Sequence, residues 1–144
     1  MVDPALWGGP GLFVAAFVGA TLVPISSEAA FVAVLASGYP VAPALVWATV
    51  GNSLGCALNY GLGRWSRDRI ETRLMASRAG RTALRWTERA GVPALLLSWL
   101  PIVGDPLTLA AGVARVRPIV FATLVVSVRF GRYAALALAL AMAR

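Results

Sequence analysis

The sequence predicts an all-α integral membrane protein. It reads as an inverted repeat of two re-entrant helical hairpins, each followed by a transmembrane helix, joined by an arginine-rich amphipathic linker helix. Three observations lead there. First, 59% of the 144 residues are hydrophobic and only 13% are charged, about half the charge of a soluble domain. A chain this small has too little interior to hide that much apolar surface. Second, Pro4 to Ser27 and Ala29 to Gly63 carry no charge, and each stretch exceeds the roughly 20 residues that cross a hydrocarbon core as a helix. Third, Pro24-Ile25-Ser26-Ser27-Glu28 and Pro101-Ile102-Val103-Gly104-Asp105 share the pattern Pro-Ile-x-x-acid, 77 residues apart. The apolar runs are continuous and rich in Ala, Leu and Gly rather than alternating, which argues against a β-barrel.

The elements follow in order. A first apolar segment covers residues 11–37 and is interrupted near Pro24 to Glu28. Ser26 or Ser27 suits the N-cap of the helix that continues through Ala29 to Leu35, and Glu28 suits its first turn. The turn Ser37-Gly38-Tyr39-Pro40 follows, and a second segment ends the first half (residues 11–63). The linker, residues 64–90, carries Arg64, Arg67, Arg69, Arg73, Arg78, Arg81, Arg85 and Arg89 against Asp68, Glu71 and Glu88. Its apolar residues Trp65, Ile70, Leu74 and Trp86 suggest a helix lying on the membrane surface, interrupted at Gly80. The second half, residues 91–143, begins with a third segment broken at Pro101 to Pro106. There Asp105-Pro106 reads as an N-cap followed by proline at the first helical position. After Arg115-Val116-Arg117-Pro118 a fourth segment runs on and includes Arg129 and Arg132. The whole, residues 1–144, reads as a single membrane domain of two similar halves, each a broken segment, a turn and a continuous segment. Paired broken segments in internal repeats point to a transporter-type binding site.

The net charge is +7, and arginine supplies all the positive charge, since there is no lysine. The arginines cluster in one linker without an aromatic-basic recognition pattern, so no nucleic-acid partner is expected. They mark the cytoplasmic side instead. Four full spans would put Arg115 and Arg117 opposite the linker. Re-entrant hairpins put them on the linker's side and leave the uncharged turn at Ser37 to Pro43 on the other, so the re-entrant reading is preferred. The chain has no histidine, and Cys56 is its one cysteine. This excludes a Cys/His metal site, an internal disulfide and a Cys–His or Ser–His catalytic pair. No metal, no cofactor and no enzyme activity are therefore expected, and Cys56 reads as a small packed hydrophobe. The first positive side chain is Arg64. A secretory signal's basic start is thus missing, and the first apolar segment is expected to stay in the mature protein.

Glu28, Asn52, Asn59, Asp105, Arg129 and Arg132 lie inside apolar segments. A charge near the bilayer centre costs at least ~2.5 kcal/mol on insertion scales, so its default reading is functional, with a partner. The bland reading is an internal ion pair, Glu28 or Asp105 against Arg129 or Arg132, that only holds the halves together. The functional reading is a polar cavity at the interface of the halves. In it Arg129 and Arg132 clamp an anionic head group by bidentate bonds, while Glu28 and Asp105 exchange protons or compete for the same arginines. Half-helix N-termini at Ser27 and Pro106 would add anion-binding N–H groups. Pro24, Asn52, Asn59, Trp99, Pro101 and Pro106 are the expected cavity or hairpin residues. Gly51-Asn52-Ser53-Leu54-Gly55 is a GxxxG pattern that reads as close helix packing and is compatible with a homodimer.

At these motifs the sequence resembles the DedA family, also called the SNARE-associated or VTT domain family, and most closely its short YqaA-like branch. The resembling stretches are Pro24 to Glu28, Gly51 to Gly55 with Asn59 to Arg64, Ser98 to Pro106 with Ala111-Gly112, and Arg129 to Tyr133. They span about Phe13 to Leu138. The resemblance implies two facing re-entrant hairpins with membrane-spanning helices, in the bacterial cytoplasmic (inner) membrane as a multi-pass protein. It also implies lipid movement between leaflets, by a flippase or scramblase for a phosphate-bearing lipid such as undecaprenyl phosphate or a phospholipid. An acid in the first hairpin is part of the family pattern and falls on Glu28. Typical members carry arginines on both sides of the proline in the second hairpin, where this sequence has Trp99 and Asp105; Arg129 and Arg132 are then the replacements for that charge. The alternatives are a proton-coupled transporter of a small ion or osmolyte, and a structural membrane protein whose charges only pair.

Overall fold

A computed structural model describes residues 4–21 and 26–143, with side chains from Gly8 onward. It is helical, with no strand among the described residues. The elements are α1 (Pro4–Gly19), α2 (Ser27–Ala36), α3 (Val41–Trp65), α4 (Arg67–Met75), α5 (Arg78–Ala90), a 3₁₀ helix (Val92–Trp99), α6 (Gly104–Val113) and α7 (Pro118–Met142). Pro24, expected at the first break, lies outside the described residues.

Among the described residues, α3 and α7 are the two helices long and apolar enough to cross a membrane. At 25 residues each they rise about 37 Å, more than the ~30 Å hydrocarbon core. Along α3, Val46, Val50, Leu54, Leu58 and Leu62 recur every fourth residue, and all stand exposed. A soluble core helix would bury such a stripe, whereas lipid chains cover it in a bilayer.

The 77-residue spacing of the short motif also holds for the bounds of whole elements. At the constant offset of 77 residues, the ends of α2 (Ser27 and Ala36) fall on the ends of α6 (Gly104 and Val113). The ends of α3 (Val41 and Trp65) fall likewise on those of α7 (Pro118 and Met142). Both short helices end in the same hydrogen-bonded turn. Gly38 N–H donates to Leu35 O at 3.1 Å and Tyr39 N–H to Val34 O at 3.3 Å, while Arg115 N–H donates to Gly112 O at 3.0 Å and Val116 N–H to Ala111 O at 3.1 Å. This Schellman turn needs a left-handed residue, and the two copies fill it differently. Gly38 has φ +89°, and Arg115 has φ +54°, a conformation that disfavours a side chain by about 1 kcal/mol or more.

The chain forms two compact units, residues 1–55 with 129–144, and residues 56–128. In the first, α1 runs against α3 so closely that a Cβ on Gly51 or Gly55 would strike the carbonyl oxygens of Phe13 or Phe17. The glycine pattern thus packs helices within the chain. The core of this unit joins Leu12, Phe31, Leu35, Ala44, Ala48 and Tyr133, with Leu136, Ala137 and Leu140 of α7 packed on it. Phe31 and Tyr133 meet with ring centroids 5.1 Å apart. α2 is therefore completed by the C-terminal part of α7.

In the second unit α6 plays the part of α2. Residues Leu107 to Val113 are all buried. A Cβ on Gly63 would strike Leu109 O, and one on Gly112 would strike Tyr60 O, so α6 is completed by the C-terminal part of α3. Cys56, at 0% exposure, packs as the small hydrophobe expected. The rest of the cover comes from the linker, and here two expectations are corrected. The single amphipathic linker helix is two helices, and the break falls at Ala76-Ser77 rather than Gly80. Ser77 caps α5, its Oγ accepting Gly80 N–H at 3.0 Å, while Gly80 sits inside the first turn pressed against the Leu74 backbone. Nor is its apolar face spread on the membrane surface. Leu74, Ala83 and Leu84 are core residues with α6, and Ile70 and Trp86 pack on them. Of the four linker residues expected to touch the membrane, Trp65 stands out, 91% exposed. A short helix buried on most sides needs apolar cover, and α4 and α5 supply it.

Candidate functional site

In the first unit the polar residues of three elements meet. Ser26 caps α2, with its Oγ accepting Ala29 N–H at 3.2 Å and its hydroxyl donating to Glu28 Oε2 at 3.2 Å. This cap holds Glu28 in the first turn of α2, where the helix N-terminus favours a carboxylate. Glu28 Oε1 then takes Arg132 Nη2 of α7 in a direct ion pair, with side chains 29% and 19% exposed. One turn of α7 before Arg132 lies Arg129, 2% exposed. One residue after Arg132, Tyr133 is buried, 1% exposed. Its hydroxyl accepts from Asn52 Nδ2 of α3 at 3.2 Å, and the same amide donates to Ala16 O of α1 at 3.3 Å. Four of the expected residues (Glu28, Arg132, Arg129 and Asn52) thus belong to one unit. Of the ion pairs considered in the sequence, Glu28 with Arg132 is observed. Tyr133 was missed as a site residue; its signal was its place one residue after Arg132 in a run otherwise free of hydroxyl aromatics.

Asp105, Asn59, Trp99, Pro101 and Pro106 belong to the second unit. Asn59 is 2% exposed; its Nδ2 donates to Thr108 Oγ1 at 3.2 Å, and Thr108 in turn donates to Asp105 O at 2.7 Å. Asp105 is not the N-cap expected of it. α6 begins one residue earlier, at Gly104, and Val103 is the capping residue, without a side-chain bond. Gly104 presses against Ser98 O, an approach that a larger residue could not make, and this sets the start of the helix. Asp105 therefore occupies the second helical position, as Glu28 does in α2. Pro106 falls at the third, where its missing N–H is one of the four that need no intrahelical partner. Trp99 ends the 3₁₀ helix and is 51% exposed; Pro101 follows in the turn, also exposed.

A second polar feature of this unit lies where α3 gives way to α4. A pocket of about 450 Å³ is lined by Arg64, Trp65, Ser66, Arg67, Asp68, Arg69 and Arg115. Tyr60 braces it: its ring stacks on Phe121 at 4.4 Å, its hydroxyl donates to Val116 O, and Arg64 Nη1 donates to it at 3.1 Å.

Residues 10–142 of this chain match the VTT domain. The chain belongs to the VTT-domain family. Its VTT relatives include the inner membrane protein YqaA of Escherichia coli (strain K12), 43% identical over 113 residues that make up 76% of each chain. The YqaA protein of Shigella flexneri matches to the same extent. An uncharacterized protein of Haemophilus influenzae is 34% identical over 135 residues, covering 87% of this chain and 82% of that one. No solved structure matches. The family expected from the motifs is thus the one found, and this VTT protein is an inner membrane protein, in keeping with its two long exposed apolar helices.

Proposed function

We propose that this VTT-domain protein carries a phosphate-bearing lipid between leaflets, as a flippase or scramblase, and that its two broken segments are re-entrant hairpins of an inverted repeat. The observation that carries the transport reading is the Glu28–Arg132 pair, set beside Asn52, Arg129 and Tyr133 among apolar segments. Charge at such a place is expensive unless it works. The re-entrant reading draws support from the second unit. The third segment leaves the linker, and Arg115 just after it shares a pocket with Arg64, Arg67 and Arg69. A segment that leaves the arginine-rich linker and ends beside arginines of that same linker turns back within the membrane. The matched ends of α2 with α6 and of α3 with α7 support the repeat.

In this reading the Arg132 guanidinium is the head-group ligand, able to hold two phosphate oxygens at once, and Glu28 is its resident competitor. Protonation of Glu28 removes the negative charge that holds Arg132 and frees the guanidinium for phosphate. That step couples lipid binding to protons. Asp105, at the same helical position in the other repeat, is the second acid of the cycle, and Arg129 adds positive charge one turn from Arg132.

The test is transport in reconstituted liposomes with labelled anionic and neutral lipids, with and without a pH gradient. The comparison is wild type against Glu28→Gln, Arg129→Ala and Arg132→Ala. Movement of the anionic lipid lost in the variants while they stay folded is the expected result. Wild-type rates in Arg132→Ala would sink the clamp. A folded wild type that moves no lipid, yet responds to the gradient, would transfer the site to a small ion or osmolyte.

A further inference from the structure

We infer that the pocket formed by Arg64, Arg67, Arg69 and Arg115 binds the phosphate group of a lipid head group at the membrane surface, as a site separate from the Glu28–Arg132 pair. Four guanidinium groups and one carboxylate, Asp68, line the same pocket of about 450 Å³. Gathering like charges is unfavourable unless an anion neutralises them, and arginine forks match phosphate oxygens two at a time.

The repeat shows that the backbone does not demand these arginines. At the offset of 77 residues Arg115 falls on Gly38 and Arg64 on Ala141. Those residues line a pocket of their own, about 190 Å³, with Leu35, Tyr39, Ala137 and Leu140. The same scaffold therefore makes an apolar pocket in one copy and an arginine pocket in the other. Arg115 also occupies the left-handed position that Gly38 fills without strain. A strained residue carrying a charge into a pocket of like charges is explained by a ligand. The pocket is partly preorganised, because Tyr60 holds Arg64 at 3.1 Å while bonded to the backbone of Val116, next to Arg115. The ligand is a lipid rather than a free ion because Trp65, 91% exposed, stands in the same lining. An indole beside basic groups suits the boundary between acyl chains and head groups.

The experiment uses the full chain purified in neutral detergent and titrated with short-chain phosphatidic acid, short-chain phosphatidylcholine or sodium phosphate. Binding is read as the shift of the thermal unfolding midpoint. Phosphatidic acid is expected to raise the midpoint and phosphatidylcholine to leave it. Arg64→Gln and Arg115→Gly should each weaken the phosphatidic acid affinity by about tenfold, the loss of one charge-assisted bond. Arg115→Gly is the discriminating variant, since glycine suits the turn and the lipid-free midpoint should not fall. Arg78→Gln, which removes one exposed arginine outside the lining, should bind like wild type. Equal binding by Arg115→Gly and Arg64→Gln, or an equal loss in Arg78→Gln, overturns the site. An equal shift with sodium phosphate assigns the pocket to the free anion and overturns the lipid.

Discussion

Removing Arg132 should cost more than removing Glu28, and most of that cost should vanish when both go. In Arg132→Ala the carboxylate keeps Ser26, whose hydroxyl donates at 3.2 Å, and the N-terminus of α2, but it loses its countercharge. Breaking a fully buried pair from one side costs about 3–5 kcal/mol. Here the side chains are 29% and 19% exposed, so the figure is discounted to about 2–4 kcal/mol. Glu28→Gln leaves an arginine whose long stem lets the charge move toward the interface, so about 1–2 kcal/mol is expected. The double variant Glu28→Gln/Arg132→Ala should recover about 2 kcal/mol of the summed losses. Reversible unfolding in mixed micelles at pH 7, followed by far-UV circular dichroism, measures all three. Strictly additive losses would refute the coupling.

Two shorter predictions concern packing. Tyr133→Phe keeps the contact with Phe31 but takes the hydroxyl from Asn52, whose amide retains Ala16 O. A loss of about 1 kcal/mol in the same unfolding assay is expected, and no loss would mean that the bond is not formed in the membrane. Gly112→Ala would set a methyl group on the backbone of Tyr60 and Arg64. Its gain in helix propensity, about 1 kcal/mol, is outweighed by an overpacking cost of about 1–3 kcal/mol or more. Gly61→Ala, which meets nothing within 4 Å, should stabilise; a midpoint lowered by Gly61→Ala and raised by Gly112→Ala would overturn the α3–α6 crossing.

Much of the fold was legible because bilayer solvation acts on composition and length, which sequence displays directly. The second apolar segment, expected to end at Gly63, is α3 ending at Trp65. Ser26 caps α2 because a hydroxyl before an apolar run satisfies a local donor. The misses share one cause, that close contact between elements overrides local signals. Gly80 looked like a breaker, yet it is the residue that lets α5 approach Leu74. Asp105 looked like a cap, yet Gly104 starts α6 because it must pass Ser98. Trp86 and Leu74 looked like membrane anchors, yet α6 claims them. At the site, the need for a partner to Glu28 was legible from the cost of a buried charge. Which arginine supplied it was not, since Arg132 is far along the chain and Arg129 has the same side chain one turn away.

Compared at the 77-residue offset, the two halves separate what the scaffold needs from what the proposed chemistry needs. Shared features are backbone devices: a ten-residue helix, an acid at its second position, a Schellman turn and a 25-residue helix. These answer to capping and bilayer thickness. The differences fall on side chains at equivalent positions. Asn52 corresponds to Arg129, and both are almost wholly buried. Gly55, which lets α1 approach, corresponds to Arg132, which pairs with Glu28. Gly38 and Ala141 correspond to Arg115 and Arg64. In each case a neutral residue suffices for the structure in one copy, and an arginine takes its place in the other. Four arginines in these positions, in a chain with no lysine, are the groups that the proposed anionic ligand would use.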